Sequence, residues 1–116
     1  MDEHGFKKGA EHFNSGDFFE AHEVWEDVWR ALDSPKEKLF VQGLIQVSVA
    51  LHHHSTGNLV GAESLLRRAT RNLAGYPPHY GGIDLLLLSH SLAVWLEALQ
   101  NRTSVPAKPQ VKFVVR

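Results

Sequence analysis

The chain has 116 residues, of which 43% are hydrophobic, and a formal net charge of −1 with neutral histidines. This length suits one compact domain that buries about two-thirds of the surface exposed by its unfolded chain. The near-zero charge argues against nucleic acid or an anionic membrane as the main partner. Because the chain has no cysteine, disulfides and thiolate metal sites are excluded, and nitrogen and oxygen are the metal ligands that remain.

Two segments bear on where the protein resides. Residues 1–5 are acidic and no long apolar core follows them, which does not fit a secretory signal. The most apolar stretch, Ile83–Leu99, carries Asp84, His90 and Glu97, so it predicts a buried helix rather than a membrane span. Together with the absence of cysteine, these features predict a cytoplasmic protein without a membrane partner.

The first two helices are predicted from apolar spacing and from a cap. Apolar residues recur at helical spacing from Phe6 to Phe13, ahead of an Asn-Ser-Gly turn, which predicts a short first helix. Asp17 is a candidate N-cap for a second helix that runs to about Leu32. Glu20 follows three residues later, as in a capping box, and its charge suits the first turn of a helix.

The third and fourth helices are bounded by clear local signals. Ser34 is followed by a proline and then by a glutamate, which is typical of a helix N-terminus. The only breaker before Ser55 is Gly43, and Thr56–Asn58 then supplies a left-handed turn and a new N-cap. The fourth helix is predicted over Leu59–Ala74 and stops at a Gly-Tyr-Pro-Pro sequence.

The rest of the chain completes the predicted fold. Loop residues continue to Gly82, and Asp84 caps a fifth helix that reaches about Asn101. Short links between helices two, three and four favour antiparallel neighbours. The predicted fold class is all-α, a compact bundle or array of about five helices over residues 1–101. An extended C-terminal tail follows over residues 102–116, and its last apolar run could form an edge strand, a strap across the bundle or a partner-binding segment.

The second predicted helix threads carboxylates and an imidazole through large aromatic residues. At 100° per residue, one side of it collects Phe19, His22, Glu23, Glu26, Trp29 and Arg30. Because bulky aromatic groups favour the core, some of these charges are candidates for burial, and each would then need an opposite charge, a hydrogen-bond network or a metal. Trp25 and Trp29 are predicted core residues whose indole N–H groups find partners, with a ligand-pocket wall as the alternative.

A polar stripe marks the third predicted helix. Gln42, Gln46 and His53 recur there together with Val49, at intervals of three and four residues. If helices two and three pack side by side, this stripe meets the charged side of helix two and forms a buried network. The candidate polar site comprises Glu20, His22, Glu23, Trp25, Glu26, Trp29, Gln42, Gln46 and His53.

The segment Phe13–Glu26, which contains Glu-Ala-His-Glu-Val-Trp-Glu, resembles the opening signature of domain-of-unknown-function family 309. Gln42–Gln46, Ala50–His54 and the Gly-Asn pair that follows are similar to the family's central helix and its turn. The resemblance covers roughly residues 10–75 and implies a small all-α bacterial or archaeal protein with a compact helical array and no established reaction. Its signature positions fall on Glu20, His22, Glu23, Trp25, Glu26, Trp29, Gln42 and Gln46.

Two functional hypotheses follow from these observations. The first is a structural or interaction module whose polar network is internal, and whose fifth helix or tail binds another protein or a second copy of the chain. The alternative is a protein that binds a divalent metal or a small ligand, including a metal-dependent hydrolase. Its ligands would be His22, Glu23, Glu26 and His53, with His52 as an equivalent of His53.

The spacing of these ligands is not specific for a metal. The sequence His22-Glu23-Val24-Trp25-Glu26 has a glutamate where the helical zinc-protease pattern has its second histidine. The Glu-x-x-His pairs of di-iron bundles are absent from the chain as well. The charges can also satisfy one another without a metal, so the sequence favours the interaction module and assigns no catalytic residue.

Overall fold

A computed structural model describes residues 1–115 of the chain. Within them the elements in chain order are α1 (Glu3–Asn14), α2 (Phe18–Arg30), α3 (Pro35–Ser55), α4 (Leu59–Leu73), β1 (His79–Tyr80), β2 (Ile83–Asp84) and α5 (Leu85–Asn101). The predicted all-α fold of five helices is therefore confirmed, with a small addition. Two strands of two residues each form a hairpin that begins within the predicted loop and ends just after it. The radius of gyration of 13.2 Å is that of one compact domain of about this length. None of the helices described is both long and apolar enough to cross a membrane.

α3 is the central helix of the fold, with α2 on one side and α4 on the other. Lys38, near the start of α3, lies against Trp29 at the end of α2, whereas His52, near the end of α3, lies against Phe19 at the start of α2. The two helices therefore run antiparallel, as the short link between them predicts. A Cβ atom at Gly43 would lie 2.7 Å from the Leu73 side chain, so this glycine allows α3 and α4 to approach closely.

The helix caps follow the predicted chemistry with one exception. The side chains of Ser34, Asn58 and Asp84 each accept a hydrogen bond from the backbone N–H three residues ahead, at 3.3, 2.9 and 3.0 Å. Asp17 occupies the N-cap position of α2 but makes no side-chain cap bond. Its carboxylate instead lies 3.8 Å from His12 Nδ1. The predicted capping box between Asp17 and Glu20 is thus wrong, and Glu20 is exposed in the first turn.

The core-facing side of α2 differs from the side that the sequence analysis favours. The buried residues of this helix are Phe18, Ala21, Trp25 and Val28. Their spacing of three and four residues places them on one stripe, and the charged residues lie outside it. The expectation that some of these charges are buried is therefore wrong. Trp25 does behave as predicted, because it is fully buried and its indole N–H donates to the carbonyl of Phe6 at 3.0 Å.

The C-terminal segment lies across the bundle as a strap, one of the three predicted alternatives. We call residues 103–115 the C-terminal strap; residue 116 of the predicted tail lies outside the described residues. Asn14 of α1 anchors the strap, because its side chain accepts from the N–H of Val111 at 2.8 Å and donates to the carbonyl of Val111 at 2.9 Å. Trp95 of α5 donates to the carbonyl of Ala107 at 2.9 Å.

The strap also adds to the hairpin. Ile83 and Phe113 form an antiparallel bridge, and the N–H of Asp84 donates to the carbonyl of Lys112 at 2.8 Å. Val111 is buried within the core cluster. The tail is thus a packed part of the domain along most of its length, which is why its outer face, together with α5, can form a fixed surface.

Candidate functional site

The charges of α2 form a chain of contacts along one helix. His22 Nδ1 donates to the Phe19 carbonyl at 2.6 Å, and His22 Nε2 lies 3.0 Å from Glu26 Oε1. Arg30 donates to Glu26 at 3.1 Å and to Asp27 at 2.7 Å. Both ring nitrogens of His22 therefore face oxygen atoms of the same helix. Every contact joins residues three or four positions apart, so these charges are paired within α2 rather than across to α3.

A small cleft lies where α2 meets α3. It is lined by Phe18, Phe19, His22, Val49 and His52 and has a volume of about 190 Å³. The centroid of the Phe19 ring lies 4.9 Å from that of His22 and 5.8 Å from that of His52. The cleft is smaller than the roughly 300–1,000 Å³ of most small-molecule sites. Its imidazole and aromatic rings are therefore a surface feature rather than an enclosed reaction site.

Trp29 has a different environment from Trp25. The Lys38 ammonium lies 4.2 Å from the centroid of the Trp29 ring, a cation–π contact between α2 and α3. The indole Nε1 of Trp29 is buried and has no hydrogen-bond partner among the described residues. The sequence predicts a hydrogen-bond partner for this group, and residues 1–115 provide none. A buried unpaired N–H costs about 1–3 kcal/mol, so Trp29 contributes less to stability than its size suggests.

The remaining candidate residues of the polar site lie apart from one another. Glu23 and Gln42 are exposed. Gln46 accepts a hydrogen bond from Asn72 of α4 at 2.8 Å, so its partner is on α4 rather than on α2. His53 Nδ1 lies 3.4 Å from the Asn58 side-chain nitrogen, in the turn that follows α3. The described residues therefore do not form the predicted buried network between helices two and three.

The candidate metal ligands are dispersed in the same way. Glu26 lies beside His22, but Glu23 is exposed and His53 lies at the turn before α4. Over residues 1–115, the structure brings together no three His, Asp or Glu side chains in a group that could hold a metal ion. The geometry thus gives no support to the predicted ligand set His22, Glu23, Glu26 and His53.

An aromatic cluster that the sequence analysis does not identify lies at the other end of α3. The ring centroids of Phe40, Tyr76 and Tyr80 lie 4.8–5.8 Å apart, and the Lys36 ammonium lies 5.4 Å from the Tyr80 ring. Burial raises the pKa of Tyr76, with a smaller contribution from Tyr80. Burial also raises the pKa of Tyr80, with a smaller contribution from the Glu37 carboxylate. Both phenols are therefore neutral near pH 7.

A groove runs between α5 and the C-terminal strap. We call it the α5 groove; it has a volume of about 400 Å³, and its lining includes Leu87, His90, Val94, Lys108 and Lys112. Leu87 and Val94 are 40% and 53% exposed although both are large and apolar. A signal for this surface exists in the sequence, because α5 has more apolar residues than one buried stripe needs.

A larger cavity lies at the end of the bundle where α4 begins and α5 ends. We call it the α4–α5 cavity; it has a volume of about 720 Å³. The residues around it include His54, Leu59, Val60, Leu99, Arg102 and Val105. It shares no lining residue with the α5 groove. Its walls come from two stretches far apart in the sequence, residues 54–63 and 98–105, so no local pattern could predict it.

The fold and these surfaces define a small all-α domain in which antiparallel helices are closed by a C-terminal strap. Residues 6–65, or 60 of the 116, match the family model described as domain of unknown function (DUF309). The protein belongs to this family, as the resemblance in α2 and α3 predicts. The matched region runs from α1 into α4 and so includes the cleft between α2 and α3 but not the α5 groove.

Two relatives extend this comparison. The chain is 28% identical over 104 residues to an uncharacterized protein of Aquifex aeolicus strain VF5, which covers 90% of this chain and 30% of the relative. It is 40% identical over 57 residues to the uncharacterized protein YpuF of Bacillus subtilis strain 168, which covers 49% of this chain and 33% of YpuF. The similarity thus covers about a third of the length of each relative.

Proposed function

We propose that this domain is a protein-interaction module and that the α5 groove is its recognition surface. The observation that carries the proposal is a pair of exposed apolar side chains on the face of α5 that lines the groove. Leu87 and Val94 are seven residues apart, or about two helical turns, and so lie on the same face of the helix. Exposed apolar surface that lines a groove is typical of protein-interaction sites.

The second wall of the groove is held in place before a partner arrives. Trp95 binds the carbonyl of Ala107, and Asn14 binds both backbone groups of Val111. These bonds lie on either side of Lys108, a lining residue whose ammonium rests 5.6 Å from the Phe18 ring. A groove that is already formed loses little conformational entropy on binding, which favours affinity.

Charge identifies the class of partner. Lys108 and Lys112 line the groove from the strap, and no aspartate or glutamate lies among the lining residues described. An apolar groove with a basic rim fits an amphipathic helix whose apolar stripe is flanked by acidic residues. The partner in this proposal is therefore an acidic amphipathic helical segment of another protein.

The lengths of the relatives support a modular role. The chain covers only 30% and 33% of the two relatives that it matches, so in those proteins the similar region is joined to further chain. A domain that occurs within longer proteins is expected to contribute binding or positioning.

The test uses a designed amphipathic helix as the probe. A labelled peptide of about 18 residues, with leucines at helical spacing and glutamates on both flanks, is titrated and followed by fluorescence anisotropy. We expect binding that weakens with salt, and no binding of a matched peptide whose flanks are lysine. Val94→Asp and Lys112→Glu should each weaken binding by about tenfold or more.

Leu39→Asp is the matched control, because Leu39 is also exposed on a helix but lines neither the α5 groove nor the α4–α5 cavity. It should bind the glutamate peptide as the wild type does. Equal binding of both peptides, or unchanged binding by Val94→Asp, contradicts the proposal. A concentration-dependent dimer that Val94→Asp abolishes in sedimentation assigns the groove to a second copy of the chain and also overturns it.

A further inference from the structure

We infer that the α4–α5 cavity binds a free amphiphilic carboxylate, with its aliphatic body between the two helices and its carboxylate on Arg102. The cavity volume of about 720 Å³ lies within the range of roughly 300–1,000 Å³ that is typical of small-molecule sites. Because the cavity and the α5 groove have no lining residue in common, this inference is independent of the proposed interaction surface.

The walls of the cavity are apolar and incompletely covered. Leu59 and Val60 come from the first turn of α4, and Leu99 and Val105 come from the end of α5 and the strap. Val60 is 83% exposed, which is unusual for an aliphatic side chain at the rim of a cavity. An aliphatic ligand would remove this surface from water, and burial of apolar area is the main source of affinity in such sites.

The backbone of Arg102 is held in a conformation that its side chain disfavours. Its φ and ψ of 54° and 42° are left-handed, and it ends α5 in the position where glycine is usual. The other described residues with positive φ are all glycine, namely Gly16, Gly57, Gly75, Gly81 and Gly82. A strained non-glycine residue beside a cavity points to a use for its side chain, and here that side chain is a guanidinium.

The charges around the cavity favour an anion over a cation. Glu63 also lines the cavity, but Arg67 one turn later donates to its carboxylate. The carbonyls of Leu99 and Ala98 at the end of α5 already accept hydrogen bonds from the backbone N–H groups of Arg102 and Thr103. Arg102 takes part in no ion pair within 4.0 Å among residues 1–115.

The guanidinium group of Arg102 therefore supplies a positive charge that is available to a ligand, and its planar fork matches the geometry of a carboxylate.

Octanoate below its micelle concentration is the probe for this site. Titration followed by two-dimensional NMR should shift the amide signals of Val60, Leu99 and Arg102, whereas octylamine and 1-octanol should bind at least about tenfold more weakly. The full chain is used throughout, and the signals of α2 provide an internal reference.

Two substitutions separate binding from stability. Arg102→Gly removes the guanidinium and relieves the left-handed strain, so it should raise the melting temperature and weaken octanoate binding by about tenfold or more. Arg102→Lys keeps the charge but loses the fork, so it should bind with intermediate affinity. Arg71→Gln removes an exposed arginine of α4 outside the cavity and should leave binding unchanged.

Three outcomes overturn the inference. One is the absence of octanoate-dependent shifts at the cavity residues of the wild type. Another is unchanged octanoate affinity in Arg102→Gly, which would leave the strained arginine with no part in binding. The third is equal affinity for octanoate and octylamine, since a site built on guanidinium must distinguish an anion from a cation.

Discussion

The helix α2 and the C-terminal part of the fold differ in how their side chains are accommodated. In α2 the polar side chains of His22, Glu26 and Arg30 find partners on the same helix, and the apolar stripe packs inward. In α5 and its surroundings, large apolar side chains such as Val94 remain exposed although the core is filled. The segment with the most distinctive sequence is thus internally paired, whereas the segment with the plainer sequence presents open surfaces. In this chain, the segment with the densest pattern of charges is therefore not the one that leaves large apolar side chains exposed.

The largest expected effect tests how far the fold depends on the inward side of α2. Trp25→Ala removes a fully buried indole that packs against Phe6 and Phe13 and binds the Phe6 carbonyl. We expect the free energy of unfolding to fall by about 3–5 kcal/mol. Urea denaturation followed by circular dichroism measures this change. A loss below about 1 kcal/mol would mean that α2 is not packed through this residue.

A smaller effect is expected at the anchor of the strap. Asn14→Ala leaves the N–H and the carbonyl of Val111 without their side-chain partner, which should cost about 1–3 kcal/mol. Hydrogen exchange should also accelerate at Val111 and Val114 more than in α3, because the strap opens locally. Exchange that stays equally slow at both positions would show that the strap is held without Asn14.

The next substitution is expected to raise the free energy of unfolding rather than lower it. Arg102→Gly relieves a left-handed arginine and should raise the free energy of unfolding by about 0.5–1 kcal/mol, the strain relieved less the entropy that glycine loses on folding. A thermal melt of the two proteins side by side is sufficient to see it. If the variant is less stable than the wild type, the arginine side chain contributes contacts that outweigh its backbone strain.

The smallest effect distinguishes a surface network from a buried one. Glu26→Gln weakens the contacts with His22 and Arg30, and these three side chains are partly or largely exposed. Exposed pairs one turn apart contribute only about 0.3–0.5 kcal/mol each, so the loss should stay below about 1 kcal/mol. The same substitution in a buried network would cost about 3–5 kcal/mol of unfolding free energy. A loss of that size in urea denaturation would support the predicted buried network between α2 and α3.

Features that depend on local chemistry could be predicted from the sequence. The caps at Ser34 and Asp84 form as expected, because an N-cap needs only the next turn of its own helix. The prediction of the inward side of α2 is wrong because Phe19 and Trp29 suggest a core face together with the charges beside them, whereas Phe19 is 43% exposed. The purely apolar spacing from Phe18 to Val28 would have identified the correct stripe.

The candidate site depends more strongly on tertiary contacts. Gln46 binds Asn72 on α4, 26 residues away, and no helical pattern in α3 specifies that choice over α2. The α5 groove exists only because the strap returns to Asn14 across 97 residues. These contacts follow from how whole elements pack, so sequence periodicity indicates which residues are amphipathic but not which neighbour they meet.

The link between Asn14 and Val111 also has a consequence for the order of folding. It closes a loop of 97 residues, for which chain-closure entropy alone amounts to about 4 kcal/mol. The contacts between α1, α2 and α3 are much closer in sequence and can form early, so the strap is expected to dock last. During synthesis on the ribosome, the helices can therefore assemble before the strap emerges, and the α5 groove is completed only when it does.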